Sequence, residues 1–341
     1  MKKRIISLAA AAVFVIGTLA GCGNSSTQTT DKTASSDASS SGGDLVTVRD
    51  AVMTGQLDQY ATEIGLWQGI FEKYGIDLQT TEFVAGINTI DAVVNGTADI
   101  GMMADYAAVN RLGNTLDATN LQIFSQISGG QSALSGGLYV DPKYADDPKS
   151  LDGSAGFMYQ EGTVTYYYAS KCIEYLGLDE SKQNLINTDS SQTRLALIQK
   201  GGASAVYANG SEAKYIEEAG WVQVATSQEI GIQTGSYFLS TDKYISENTD
   251  TLAKFLQAVD ESTQYINDHL DESAEYLADK LGLKAEDFKE NWKNYSFEPG
   301  FSEEATTHLE DIEKWGFEHG SFPKDYNVRD FINTDVAKIA F

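Results

Sequence analysis

The sequence predicts an α/β protein of two similar lobes, each a mainly parallel sheet flanked by helices, completed by a helical C-terminal region. Three observations carry this. Runs of strand type alternate with runs of helix type as β-α-β-α-β, and that order occurs twice, which is the grammar of a parallel sheet covered by helices. The stretch NGTADIGMMADYA (residues 95–107) is echoed by KGGASAVYANGSE (residues 200–212), with Gly96 matching Gly201, Ala98 matching Ala203 and Ile100 matching Ala205. Beyond Tyr237 apolar residues recur at helical spacing, as in TLAKFLQAVDESTQYINDHL, ESAEYLADKLG and SEEATTHLEDIEKWGFEHG.

Taken in order, the chain opens with MKKRIISLAAAAVFVIGTLAGC, where Lys2, Lys3 and Arg4 precede an uncharged apolar run and the small residues Ala20 and Gly21. Residues 1–21 read as a secretory signal peptide. Leu19-Ala20-Gly21-Cys22 resembles the lipobox of bacterial lipoproteins, making Cys22 the expected site of lipidation. The Ser/Thr/Gly-rich stretch 22–43 has no large apolar side chain to offset folding entropy and reads as a flexible tether reaching about 25 Å.

Residues 44–136 form the first segment of lobe 1. LVTVRDAVM is a strand; Ile64, Trp67, Ile70 and Phe71 mark a helix; LQTTEF, GINTIDAVVNG and ADIGMM continue the alternation. Residues 137–236 form lobe 2, where SAGFMY, VTYYYASKCIEYLGL, NLINT, SSQTRLALIQKGG and ASAVYA restart it. Residues 237–341 return to lobe 1 and supply the C-terminal helices, with Gly282 and Gly320 where helices should stop.

The formal net charge of −25, which grows more negative when the signal leaves, repels nucleic acid and anionic lipid. With only Cys22 and Cys172 present, no structural disulfide forms once Cys22 is lipidated. Cys172 shares a helical face with Val164, Tyr168 and Tyr175 and reads as a packed core thiol. No oligomerisation seam is apparent, so a monomer is expected.

Parallel α/β sheets bind ligands at the carboxyl ends of their strands. Asp105 and Tyr106 in one lobe, and Asn209 to Ser211 in the other, stand at corresponding strand ends, so two lobes facing one another would form a cleft. The chain here resembles the solute-binding proteins of ABC importers in the sulfonate, nitrate, taurine and thiamine-precursor binding family. The phrases carrying this are Gly65-Leu66-Trp67 through Phe71-Glu72-Lys73-Tyr74-Gly75-Ile76, Gly96-Thr97-Ala98-Asp99-Ile100-Gly101 leading to Asp105, and Ser240-Thr241-Asp242-Lys243-Tyr244-Ile245 with Phe255-Leu256-Gln257-Ala258.

The resemblance implies a two-lobed type II periplasmic-binding-protein fold that closes over one small-molecule ligand and delivers it to an ABC permease driven by its ATPase. It implies ligand contacts from Thr54, Gly55, Gln56 and Asp58; from Ala104, Asp105 and Tyr106; from Gly130, Gln131 and Ser132; from Gln160, Glu161, Gly162 and Thr163; from Asn209 and Ser211; and from Thr234 to Tyr237. The chain departs from the family at Ser204 and Asn209, where an Asp and an aromatic are frequent, which leaves the ligand open.

Thr163 either presents its backbone N–H and hydroxyl to a ligand or caps its own helix. Asp105 either bonds a ligand donor or fixes its own turn. The candidate loops carry Asp58, Asp105 and Glu161 but no Lys or Arg, since Arg49 lies in a strand and Arg194 in a helix. A neutral or amine-bearing solute, such as an aminopyrimidine or taurine, therefore fits better than a simple anion, with Tyr106, Tyr166, Tyr207 and Tyr237 as candidate aromatic walls.

No cofactor or metal site is expected: HExxH, Walker A, GxSxG and paired-Cys spacings are missing. His269, His308 and His319 all fall in the C-terminal region, away from the strand-end loops. The expected class is thus a binding protein and not an enzyme, with a pyrimidine-forming enzyme on the same fold, or a ligand-sensing receptor, as alternatives.

Overall fold

A computed structural model describes residues 45–116, 120–130, 136–293 and 295–341. The signal, Cys22, the tether, Gln131 and Ser132 lie outside the described residues.

Lobe 1 begins with β1 (Val46–Met53), α1 (Leu57–Trp67), α2 (Ile70–Lys73), β2 (Ile76–Phe83), α3 (Gly86–Val94), β3 (Ile100–Ala104), α4 (Asp105–Thr115) and β4 (Leu121–Gly130). Lobe 2 follows with β5 (Gly136–Val140), β6 (Phe157–Tyr159), α5 (Val164–Tyr175), β7 (Leu185–Asn187), α6 (Ser191–Gln199), β8 (Ala205–Asn209), α7 (Gly210–Glu218), β9 (Val222–Thr226) and α8 (Ser227–Ile230). The chain then re-enters lobe 1 through β10 (Thr234–Thr241) and ends in α9 (Asp242–Asp268), α10 (Leu270–Leu281), α11 (Ala285–Trp292), α12 (Glu303–Glu318) and α13 (Asp335–Ala340).

The strand orders are β2-β1-β3-β10-β4 and β7-β6-β8-β5-β9. Both lobes are α/β as expected, yet each sheet carries one antiparallel strand, inserted beside β3 in one and β8 in the other. Strand β10 pairs with β3 through Ser236 and Ala104, and β5 pairs with β8 through Gly136 and Asn209. The echo in the sequence is this equivalence. Gly96 and Gly201, with φ of 71° and 63°, turn the chain from helix into β3 and β8, a left-handed conformation that glycine adopts without a Cβ penalty.

Lobe 1 is held by α1 packed on α9. Leu57, Ile64 and Phe71 interdigitate with Phe255, Leu256 and Val259 in one fully buried cluster. Each such side chain contributes about 1.5–3 kcal/mol relative to exposure. Helix α12 starts where Ser302 accepts the Ala305 N–H at 3.0 Å. It then packs against both lobes, because Trp315 meets Tyr106 of α4 at 6.1 Å and Tyr167 of α5 at 5.4 Å between ring centroids. His319, one turn further, brings Nε2 to 3.3 Å from Glu180 Oε1 in lobe 2. Among the described residues no helix is long and apolar enough to cross a membrane.

Candidate functional site

Strand tips from both sheets converge on two neighbouring hollows. The smaller, of about 350 Å³, is walled by Gln56, Ser128, Ser236, Asn291 and Tyr295 of lobe 1 and by Asn209 of lobe 2, with Met53 and Met102 beneath. Its described lining has no charged side chain. The larger, of about 590 Å³, takes in Asp105, Tyr106 and Arg111 of α4, Gly162 and Thr163 at the start of α5, and Tyr168. Ala104 and Thr234 border both. The positions arise from topology: Met53, Ala104 and Asn209 end β1, β3 and β8, while Thr234 begins the strand that runs back.

Asp105 is the most constrained residue here. Only 2% exposed, its Oδ1 accepts the Tyr106 N–H at 2.7 Å, and its Oδ2 accepts the Gly235 N–H at 2.9 Å and faces His308 Nε2 at 2.7 Å. The carboxylate therefore ties the tip of β3 to β10 and to α12. Of the two roles open to it in sequence, the structure shows the turn-fixing one. The placement of His308 away from the strand ends is overturned, because α12 folds back over β3 and delivers its imidazole there.

Thr163 likewise serves its own helix: its hydroxyl donates to Gln160 O at 2.8 Å and accepts from Thr165 N at 3.3 Å. Its neighbour Gly162, at φ 74°, still opens onto the larger hollow. Gln160 and Glu161 line neither hollow, and Glu161 accepts from Asn187 Nδ2 at 3.1 Å.

Asp58 is fully buried, not a cleft group. Its Oδ2 accepts the Met53 N–H at 2.9 Å and closes the turn after β1, while burial pushes its carboxyl up to about 7. Beside it in the same core, Asp50 has no hydrogen-bond partner and is raised well above the usual carboxylate range, by burial first and then by Asp58. Thr54 is exposed and Gly55 gives its N–H to Gln59 Oε1 at 2.7 Å, so of the first loop Gln56 alone lines a hollow.

Tyr237 lines neither hollow. It is 1% exposed and stacked on Phe301 at 6.1 Å, inside lobe 1. Tyr207 is buried with its hydroxyl 3.0 Å from Ser227 Oγ, and Tyr166 sits edge-on to Trp315 at 5.0 Å. Of the four candidate walls Tyr106 alone lines either of these two hollows, joined by the unforeseen Tyr168 and Tyr295. Gly130 pairs with Thr234 across β4 and β10, Ser211 lies in α7, and Ser204 is buried with no partner for its hydroxyl.

The candidate loops carry no cation, but Arg111, from within helix α4, brings one to the larger hollow. It stands two turns into α4, paired with Asp91 Oδ1 at 2.7 Å, and lines the larger hollow. Arg49 remains in its strand, bonded to Asp99, and Arg194 in its helix, bonded to Glu212. Cys172 is free and fully buried, as its helical face implies.

The family model for NMT1/THI5 like proteins matches residues 64–273, well over half of the chain. This chain belongs to the NMT1/THI5 like family. The match runs from the last turn of α1 to the first turn of α10, so it takes in Asp105, Gly162, Asn209 and Thr234 together.

Solved structures share the fold of this NMT1/THI5 like chain. The periplasmic aliphatic sulphonate binding protein SsuA from Escherichia coli superposes with a TM-score of 0.69 at 17% identity, over 84% of this chain and 92% of that one. A sulfonate-binding SsuA from Methylobacillus flagellatus KT gives 0.68 at 14% identity, over 87% and 94%. The nitrate-binding protein NrtA from Synechocystis PCC 6803 gives 0.60 at 15%, over 87% and 88%. These likenesses establish the periplasmic-binding-protein fold. No curated protein matches the chain in sequence.

Proposed function

We propose that this protein is the extracytoplasmic solute-binding component of an ABC importer, anchored to the outer face of the membrane through lipidated Cys22. It captures one small, nitrogen-bearing polar solute, uncharged where it meets the smaller hollow, between its lobes and delivers it to a permease coupled to an ATPase. The observation that carries this reading is the smaller hollow, where Gln56, Ser128 and Ser236 of one lobe face Asn209 of the other around a lining without charged side chains. Amides and hydroxyls both donate and accept, which suits a neutral solute bearing both kinds of group. An ion placed there would lose water without gaining a counter-charge.

Native mass spectrometry of protein purified from its own host tests this. The expected result is one co-purifying small molecule that rebinds by isothermal titration with one-site saturation and is recovered unchanged. A chemically altered product would instead support an enzyme, and binding restricted to inorganic or alkyl anions would remove the neutral-solute reading.

A further inference from the structure

The cleft continues past the polar hollow. From Ala104 and Thr234 the larger hollow runs along one face of α4, where Ala107, Asn110, Arg111 and Asn114 recur at helical spacing. Helix α4 covers Asp105–Thr115, about 15 Å at 1.5 Å per residue. Ile87, Tyr106, Val164 and Tyr168 give the hollow its large apolar surfaces. Asp105 is 2% exposed, and its bonds to Tyr106, Gly235 and His308 tie most of its accepting capacity to the protein. Two turns further along α4 Arg111 lines the hollow, its Nη2 paired with Asp91 Oδ1 at 2.7 Å.

Resting on the reading above, we infer that the ligand is elongated. An uncharged polar head occupies the smaller hollow, an apolar chain lies along α4, and a terminal acceptor oxygen reaches Arg111. Carbonyl and carboxylate oxygens share this acceptor chemistry.

Four probes separate the parts: acetamide, octanamide, suberamide and suberamic acid, followed by ligand-observed NMR titration. Octanamide should bind at least about tenfold more tightly than acetamide, since each fully buried methylene is worth roughly fourfold. Suberamide or suberamic acid should gain about threefold to tenfold more, the stronger of the two showing which acceptor the site takes. Arg111→Met should erase that last gain and keep the octanamide gain. Asp91→Asn, which releases Arg111 from its partner, should favour suberamic acid over suberamide more than the wild type does, and carries the test should Arg111→Met fail to fold. Acetamide binding with no gain from the chain, or an oxygen gain that survives Arg111→Met, overturns the extension and spares the polar head. Failure of every probe overturns the neutral-head reading and the extension with it.

Discussion

Asp105 and His308 are separated by 203 positions in the chain, yet His308 Nε2 lies 2.7 Å from Asp105 Oδ2, with both residues buried. Because the same carboxylate receives the N–H groups of Tyr106 and Gly235, one side chain fixes the strand tips between which the two hollows meet. Removing His308 leaves a buried carboxylate short of a partner. His308→Ala is expected to cost about 3 kcal/mol in denaturant unfolding, with Asp105→Ala costing at least as much and the pair showing strong coupling in a double-mutant cycle. A His308→Ala protein as stable as the wild type would contradict this.

Asp58 gives a pH signature. Its carboxyl lies near 4 in an unfolded chain and is pushed up to about 7 in the fold by burial. The fold thus binds its proton more tightly than the unfolded chain does. The resulting stability is fully present below about pH 4 and is lost as pH rises toward 7, by up to about 4 kcal/mol. Asp58→Asn, which keeps an acceptor for the Met53 N–H, should flatten the dependence of the denaturant midpoint on pH between 4 and 7. An unchanged slope would remove Asp58 as its source. Asp50, shifted the same way, is expected to leave a residual slope.

Cleft and core residues should separate cleanly in binding. Asn209→Ala and Gln56→Ala each remove an uncharged hydrogen-bonding group from the smaller hollow and should weaken the co-purified ligand by roughly threefold to tenfold. Tyr237→Phe should leave affinity within about twofold, because Tyr237 is packed on Phe301 inside lobe 1. Titration calorimetry reads both, and a Tyr237→Phe effect larger than that of Asn209→Ala would return Tyr237 to the ligand.

Cys172 should be chemically silent. It is fully buried, and burial pushes its thiol far above the usual range, so little thiolate forms near neutral pH. In a Cys22→Ser protein, an aromatic disulfide reagent should release no chromophore under native conditions and one equivalent after unfolding. Rapid native labelling would mean that the helix α5 face is open.

How much of this was legible follows from the range of each interaction. The alternation of strands and helices, the Gly96 and Gly201 turns and the buried face of Cys172 are local patterns, and the structure keeps them. The inserted strands β5 and β10 were harder, since YFLS within β10 reads as an apolar run without revealing which neighbours it pairs with. The site divides in the same way. Asn209 stands at a strand end and Gln56 and Ala104 are positions that the resemblance implies, and all three line the smaller hollow. Asp58 and Tyr237 stand near such ends in sequence but point into the core, a choice of face that strand-end position does not encode. His308, Asn291 and Tyr295 come from helical text far downstream, and Arg111 from within a helix. Only the packing of α11, α12 and α4 brings them to the cleft.

On the proposed function a solute sits between Gln56 of one lobe and Asn209 of the other. Crystallography on protein purified from its own host tests it most directly. The expected result is density for one small molecule bonded to both side chains, with any extension running along α4 toward Arg111. A refined cleft holding only water, in protein that retains its small molecule elsewhere, would contradict it.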